Sequence, residues 1–216
     1  MVCGQFERET NMADKKSGME IQSVEVWVKE KAGSPLVVHN FSEKAKQQIR
    51  DKQQKKAKKA SEQRNPKEEF LANRYVDAKG RECVPVAAVK KAIICAATAF
   101  SKDLKKVALR QAIFVDSLES PGSMLAPLHL ADGSPAVGAM REDAVTIGIN
   151  IRGLAYRPEY PTWKIGLRIE FNNRLVSLEQ LLALIDQAGW GVGICEGRPE
   201  RSSALGWGRF ERVVNG

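Results

Sequence analysis

The chain has 216 residues, 43% of them apolar and 28% charged, which is ordinary for a soluble domain with a sizeable core. Its net charge of +8 turns attention to polyanions, nucleic acid or an anionic membrane surface. No stretch approaches the roughly 20 apolar residues that span a bilayer; the longest apolar-rich run, 84–100, is interrupted by Lys90 and Lys91.

Residues 1–20 are polar and mixed in charge, and they are expected to be a disordered N-terminal segment. They lack the apolar centre of a signal peptide, so a cytoplasmic location is expected, with Met12 and Met19 as alternative starts. Cys3, Cys83, Cys95 and Cys195 lie far apart, and His39 and His129 are the only histidines. No zinc spacing results, so reduced thiols are expected, and neither a metal nor a cofactor.

Residues 21–216 read as one α+β domain. In 21–30, Val24, Val26 and Val28 alternate with Glu25, Trp27 and Lys29, the period of a strand. A turn at Gly33, Ser34 and Pro35 leads to a short extended piece, 35–41. The segment 42–69 then changes character. It holds ten Lys or Arg against five acids, +5 of the chain's +8, with Ile49 its one large apolar residue. Such a segment has no face to dock on a core. It is a basic insertion, helical or disordered, expected to be mobile when unbound and to meet phosphates through Arg50, Lys52, Lys55, Lys56, Lys58 and Lys59.

Residues 70–100 read as strand, turn, strand end and helix, with Pro85 in the helix's first turn and Val86, Val89, Ile93, Ala96 and Ala97 on its apolar face. A second helix follows from 104 and gives way to a strand over 112–117. Residues 118–144 have loop chemistry with short extended pieces. The run 145–153 reads as a strand. In 162–172, Trp163, Ile165, Leu167, Ile169 and Phe171 line one face of a half-buried strand. Ser177, with Gln180 three residues on, opens a helix that Gly189 is expected to end. A last strand covers 208–214. Helices falling between antiparallel-capable strands predict a ferredoxin-like sandwich, an RRM-like antiparallel sheet with helices on one face and the other face free.

Between that helix and the end, 189–213 holds six glycines, two tryptophans and four arginines. Glycine N–H groups in succession form anion hollows, arginine pairs with phosphate, and an exposed indole stacks on a base. Gly191, Gly193, Arg198, Arg201, Trp207 and Arg209 are therefore candidate nucleic-acid contacts. The plain alternative keeps the glycines for tight turns, the tryptophans for the core, and the arginines for ion pairs with Glu159, Glu196 or Glu200. Trp190, directly after the helix, is assigned to the core. Two Arg-Pro-Glu triplets, at 157–159 and 198–200, suggest a paired site at one end of the sheet and add Arg157 to the candidates.

A helix, then a glycine-rich loop carrying Gly189, Gly191, Gly193, Gly197, Gly206, Gly208 and Arg209, then a final strand, resembles the RAMP superfamily over the last 50 or so residues. The resemblance implies a ferredoxin-like RNA-binding subunit of a CRISPR-like ribonucleoprotein, stacked as repeated copies along a single strand. YRPEYPTW and GVGICEGRPER also resemble segments of phage- or prophage-encoded proteins. No nucleophile–His–Asp pattern, metal cluster or P-loop is present. The expectation is a non-catalytic binder of single-stranded nucleic acid, RNA before DNA, forming a homo-oligomer or joining a larger complex, without a membrane partner. A phage structural or assembly protein and a single-strand annealing recombination protein are the alternatives.

Overall fold

A computed structural model describes residues 19–41, 43–54, 64–100, 104–148, 151–202 and 204–213. The chain runs β1 (Ile21–Glu30), β2 (Leu36–Val37), α1 (Glu43–Gln53), α2 (Pro66–Ala72), β3 (Tyr75–Val76) and β4 (Glu82–Pro85). There follow α3 (Val86–Phe100), α4 (Lys106–Ala112), β5 (Ile113–Ser117), β6 (Leu125–Pro127), β7 (Ala139–Gly148) and β8 (Ile151–Tyr160). It ends with β9 (Lys164–Asn172), α5 (Leu178–Gln187), a π-helical turn over Ala188–Val192, and β10 (Phe210–Arg212).

The central sheet has four strands in the order β10-β1-β9-β5, all neighbours antiparallel. Counting only its own strands along the chain, that order is fourth, first, third, second. α3 crosses between the first and second strands, and α5 between the third and fourth. This is the ferredoxin-like βαββαβ arrangement, and it is α+β as the alternation predicted. Val26 and Val28 of β1, Ile113 of β5, and Ile165, Leu167, Ile169 and Phe171 of β9 are buried on one face. They meet Val89, Ile93, Ala96 and Ala97 of α3 and Leu181, Leu184 and Ile185 of α5. Each large side chain so buried contributes about 1.5–3 kcal/mol. α5 opens with the expected capping box: the Ser177 hydroxyl accepts from the Gln180 N–H, and the Gln180 amide oxygen accepts from the Ser177 N–H.

Two insertions ride on this frame, 31–85 and 118–163, and they fold together. β2 of the first pairs with β8 of the second, and β4 of the first pairs with β6 of the second. Glu82, 6% exposed, ties them through its carboxylate, which receives Arg74 at 2.8 Å, the Tyr160 hydroxyl at 2.6 Å and the Gly138 N–H at 2.8 Å. A buried carboxylate with three donors is fully satisfied and rigid.

Several expectations change here. Residues 118–144 are not one long loop: β6 lies within them, and β7 begins at Ala139. The Leu128 N–H bonds to the Glu82 carbonyl and the His129 N–H to the Lys164 carbonyl, partners that local composition cannot show. The run 145–153 is not one strand but the far end of the β7–β8 hairpin, with a register shift between Thr146 and Gly148. Residues 70–72 end α2, which Asn65 caps by accepting from the Lys67 and Glu68 N–H groups. Of the basic insertion, 43–53 and 66–69 are helical, and Lys55, Lys56, Lys58 and Lys59 lie outside the described residues. Cys83, Cys95 and Cys195 are free thiols. Among the described residues no helix is long and apolar enough to cross a membrane.

Candidate nucleic-acid interface

The sheet face away from the helices does not carry a basic patch. Glu25 and Asp116 flank Arg168 as cross-strand neighbours, and Glu170 lies beside Phe114. Opposite charges in such positions offset one another. The cations gather at the end of the sheet instead, where the glycine loop meets the turn after β1.

The loop begins with a helix that overruns. α5 does not stop at Gly189; it widens into the π-turn, closed by the Gly193 N–H bonding back to the Ala188 carbonyl at 2.8 Å. Gly193, with φ of +71°, then redirects the chain. A Cβ at Gly189 would overlap the Phe210 carbonyl oxygen, and one at Gly208 would overlap that of Ile194. Those glycines let β10 and the loop run against the end of α5.

The loop's donors are engaged inside the protein. Ile194 donates to the Gly208 carbonyl, Glu196 to that of Val37, Trp207 to that of Gly197, and Gly208 to that of Pro35, all between 2.8 and 3.2 Å. The Arg209 N–H reaches the Ser34 hydroxyl at 2.8 Å, and that hydroxyl donates to the Gly206 carbonyl at 2.6 Å. Ser34, 3% exposed, thus stitches the loop to the β1–β2 turn, a role the sequence did not reveal. Gly193 and its neighbours form no anion hollow, because their N–H groups are bonded. Gly191 is exposed within the π-turn and lies beside the Gln187 amide.

The arginines divide by partner. Arg198, with its side chain 18% exposed, binds Glu200 at 3.0 Å and the Cys195 carbonyl at 2.7 Å. It holds the loop together, as the ion-pair alternative required. Against the burial that would raise it, hydrogen bonds from Cys95 and Arg198 hold the Glu200 carboxyl below its ordinary value. Burial and Glu196 push the Cys195 thiol up to about 12, so it stays protonated and unreactive. Arg157 is also inside, 13% exposed and 3.8 Å from Asp143, which takes it out of the interface. Arg201 is 65% exposed, with Glu200 only at 3.9 Å.

The tryptophans exchange the roles expected of them. Trp207 is half-buried between Gly197, where a Cβ would overlap the indole, and the Arg141 guanidinium at 4.2 Å from its ring centre. Both contacts keep it from serving as a stacking platform. Trp190 stands out, 61% exposed, with Arg209 at 4.5 Å and Lys31 at 5.2 Å from its ring. The Arg209 Nε also donates to the Trp190 carbonyl at 3.0 Å, which fixes guanidinium and indole together. The signal was available: continuing the 3.6-residue period of Leu181, Leu184, Ile185 and Ala188 puts position 190 about 200° from Ala188, off the buried stripe.

Of the two Arg-Pro-Glu triplets, the first lies beside β2, and the second follows two residues after a contact with the same strand. Val37 of β2 pairs with Glu159 on one side, and its carbonyl accepts from the Glu196 N–H on the other. The arginines of both triplets face inward, so the pairing is architectural. In the basic insertion, Arg50 is exposed on α1, its guanidinium 3.4 Å from the Gln47 amide oxygen; Lys52 lies on the same helix, its side chain outside the described residues.

A cleft of about 200 Å³ opens behind the loop, between Ala88 and Lys91 of α3 and the segment Val192–Glu200, with His39 and Tyr75 at its rim. Among the described residues no group of His, Cys, Asp and Glu is placed to hold a metal ion.

No protein-family model and no curated protein matches the sequence. Among solved structures, the chain is similar to the crystal structure of Cmr6 from Pyrococcus furiosus, with a TM-score of 0.41 and 10% identity over 90% of this chain and 98% of that one.

Proposed function

We propose that this chain is a non-catalytic binder of single-stranded nucleic acid. The observation that carries the reading is the exposed Trp190 with Arg209 held on its ring, Lys31 5.2 Å from the ring centre and 3.7 Å from Glu211, and Arg201 exposed on the same loop. An indole offers any unpaired base a stacking face worth about 1–3 kcal/mol, and the cations beside it attract the flanking phosphates. A duplex hides its base faces, so this arrangement selects single strands. The +5 of residues 42–69 adds long-range attraction that salt screens. RNA before DNA follows from the resemblance of the glycine loop to the RAMP superfamily, and so does assembly along the strand within a ribonucleoprotein. β7, ten residues long and at the edge of its sheet, offers a backbone edge for such assembly.

A binder is favoured over a nuclease because neither histidine is poised for acid–base work. His129 is 9% exposed, its Nδ1 3.1 Å from the Gly133 carbonyl and its Nε2 against Glu119. Among the described residues no hydrogen-bonded carboxylate orients the His39 ring.

The test is fluorescence anisotropy with labelled single-stranded RNA, single-stranded DNA and duplex at two salt concentrations, on the wild type and an Arg201→Ala/Arg209→Ala double variant. Tight single-strand binding that weakens in salt and in the variant is expected. Binding to none of the three ends the proposal.

A further inference from the structure

The cleft behind the loop carries a more specific reading, which rests on the nucleic-acid proposal. We infer that it receives one base of the bound strand, with guanine preferred, and that Glu196 reads that base.

Size comes first. About 200 Å³ is below the roughly 300 Å³ at which whole small-molecule ligands are usually enclosed. It suits one planar group with its sugar and phosphate left outside. The walls are apolar where a ring would lie: Ala88 and Ala92 from α3, Val192 and Ile194 from the loop. Trp190 precedes Val192 by two residues, at most about 7 Å of chain. The proposed path takes a strand from that indole to the cleft.

The polar groups then select the base. Glu200 and Arg198 bind each other, so both are occupied. Tyr75 donates its hydroxyl to the His39 carbonyl at 3.3 Å. Local desolvation and Arg157 hold the His39 imidazole below its ordinary value, so it stays neutral and leaves the nearby Glu196 charge uncompensated. Among the described residues Glu196 has no ion pair, and neither does Lys91 across the cleft. The cleft thus presents a carboxylate without an ion pair and, apart from it, the Lys91 ammonium, whose charge also helps hold the Glu200 carboxyl down. A carboxylate accepts two parallel hydrogen bonds from adjacent donors. Guanine alone of the four RNA bases has two adjacent donors on its Watson–Crick edge, N1–H and the N2 amine. Cytosine and adenine offer an exocyclic amine beside a ring acceptor. Uracil sets its N3–H between two carbonyl oxygens, which a carboxylate repels. Lys91 suits the phosphate that follows the base.

The experiment compares uridine decamers carrying a single central G, A, C or U, by anisotropy, on the wild type, Glu196→Gln and Ala88→Phe. Free GMP is titrated separately by calorimetry. The G decamer is expected to bind on the order of tenfold more tightly than the all-U decamer. Glu196→Gln is expected to abolish that preference, with the all-U decamer bound no more weakly than by the wild type. Ala88→Phe, which fills the cleft from a helix, is expected to do the same. Equal binding of all four decamers by the wild type overturns the inference and leaves the strand-binding proposal standing. So does a guanine preference that survives in Glu196→Gln. Binding of none of the decamers removes the strand-binding proposal itself. GMP binding without decamer binding makes the cleft a site for free nucleotide and overturns its role on a strand.

Discussion

The two arginine- and lysine-bearing regions of this protein are built in opposite ways. The insertion 42–69 is dense in charge and nearly empty of apolar anchors, and its helix α1 has a strongly polar composition. The loop 189–213 has four arginines, yet three are held by partners in the chain: Arg198 by Glu200, Arg212 by Asp186, and Arg209 by the Trp190 carbonyl. The first region supplies field and little shape. The second supplies shape, and exposes one indole with its attendant cations and the Arg201 guanidinium, 3.9 Å from Glu200. Attraction at a distance and recognition at contact are thereby divided between two segments.

The sharpest way to break that comparison is to damage shape in one region and charge in the other. Gly208→Val places a branched side chain against the Ile194 carbonyl at a residue with φ of +65°. The loop cannot close over it, and a loss above about 4 kcal/mol is expected in urea unfolding. Replacing Arg50, Lys52, Lys55, Lys56, Lys58 and Lys59 with Gln is expected to change stability by less than about 0.5 kcal/mol. If all six meet phosphates, the same variant shallows the log–log salt dependence of single-strand binding by about 4. A large loss of stability in the six-residue variant would show that the insertion docks on the core.

The next test sets the two tryptophans against each other. Trp207→Ala removes a ring held between Gly197 and Arg141, and is expected to cost about 2 kcal/mol or more in unfolding free energy. Trp190→Ala removes an exposed ring. It is expected to leave stability within about 0.5 kcal/mol and to weaken single-strand binding by about 1–3 kcal/mol, five- to over a hundredfold. The reverse pattern would return Trp190 to the core role that its place after a helix suggested.

How far the sequence could be read follows from how local each interaction is. The alternation of Val24, Val26 and Val28, the face from Ile165 to Phe171, and the Ser177–Gln180 cap are all set by neighbours in the chain. They give the sheet, the helices and the ferredoxin-like order. What escaped reading is held by distant pairings: β4 with β6, β2 with β8, and Ser34 with the loop 175 residues away. The hairpin of β7 and β8 was masked for a further reason, since its two arms alternate in the same period and read as one strand. In the site, charge was visible but its use was not. Arg157 and Arg201 look alike in sequence, and only the fold puts Asp143 beside one and solvent beside the other.

The smallest expected effect concerns Glu200, the residue that closes the loop on Arg198. Its carboxyl sits below its ordinary value in the folded chain because the Cys95 thiol and the Arg198 guanidinium donate to its charged form. The folded state therefore binds that proton less readily than the unfolded chain does. Stability from this group is complete above the unfolded value and is lost as pH falls through the folded one. The carboxyl is partly solvated, so screening limits the effect to under about 1 kcal/mol. Urea unfolding of the wild type and Glu200→Gln from neutral pH down to below the ordinary carboxylate range checks the sign: the wild type is more stable at neutral pH, and the two curves converge only once pH falls below that ordinary value. Curves that stay parallel would mean that Arg198 holds the loop through the Cys195 carbonyl alone. In that case the last ion pair of the loop is incidental to its shape, and the glycines and Ser34 carry that shape by themselves.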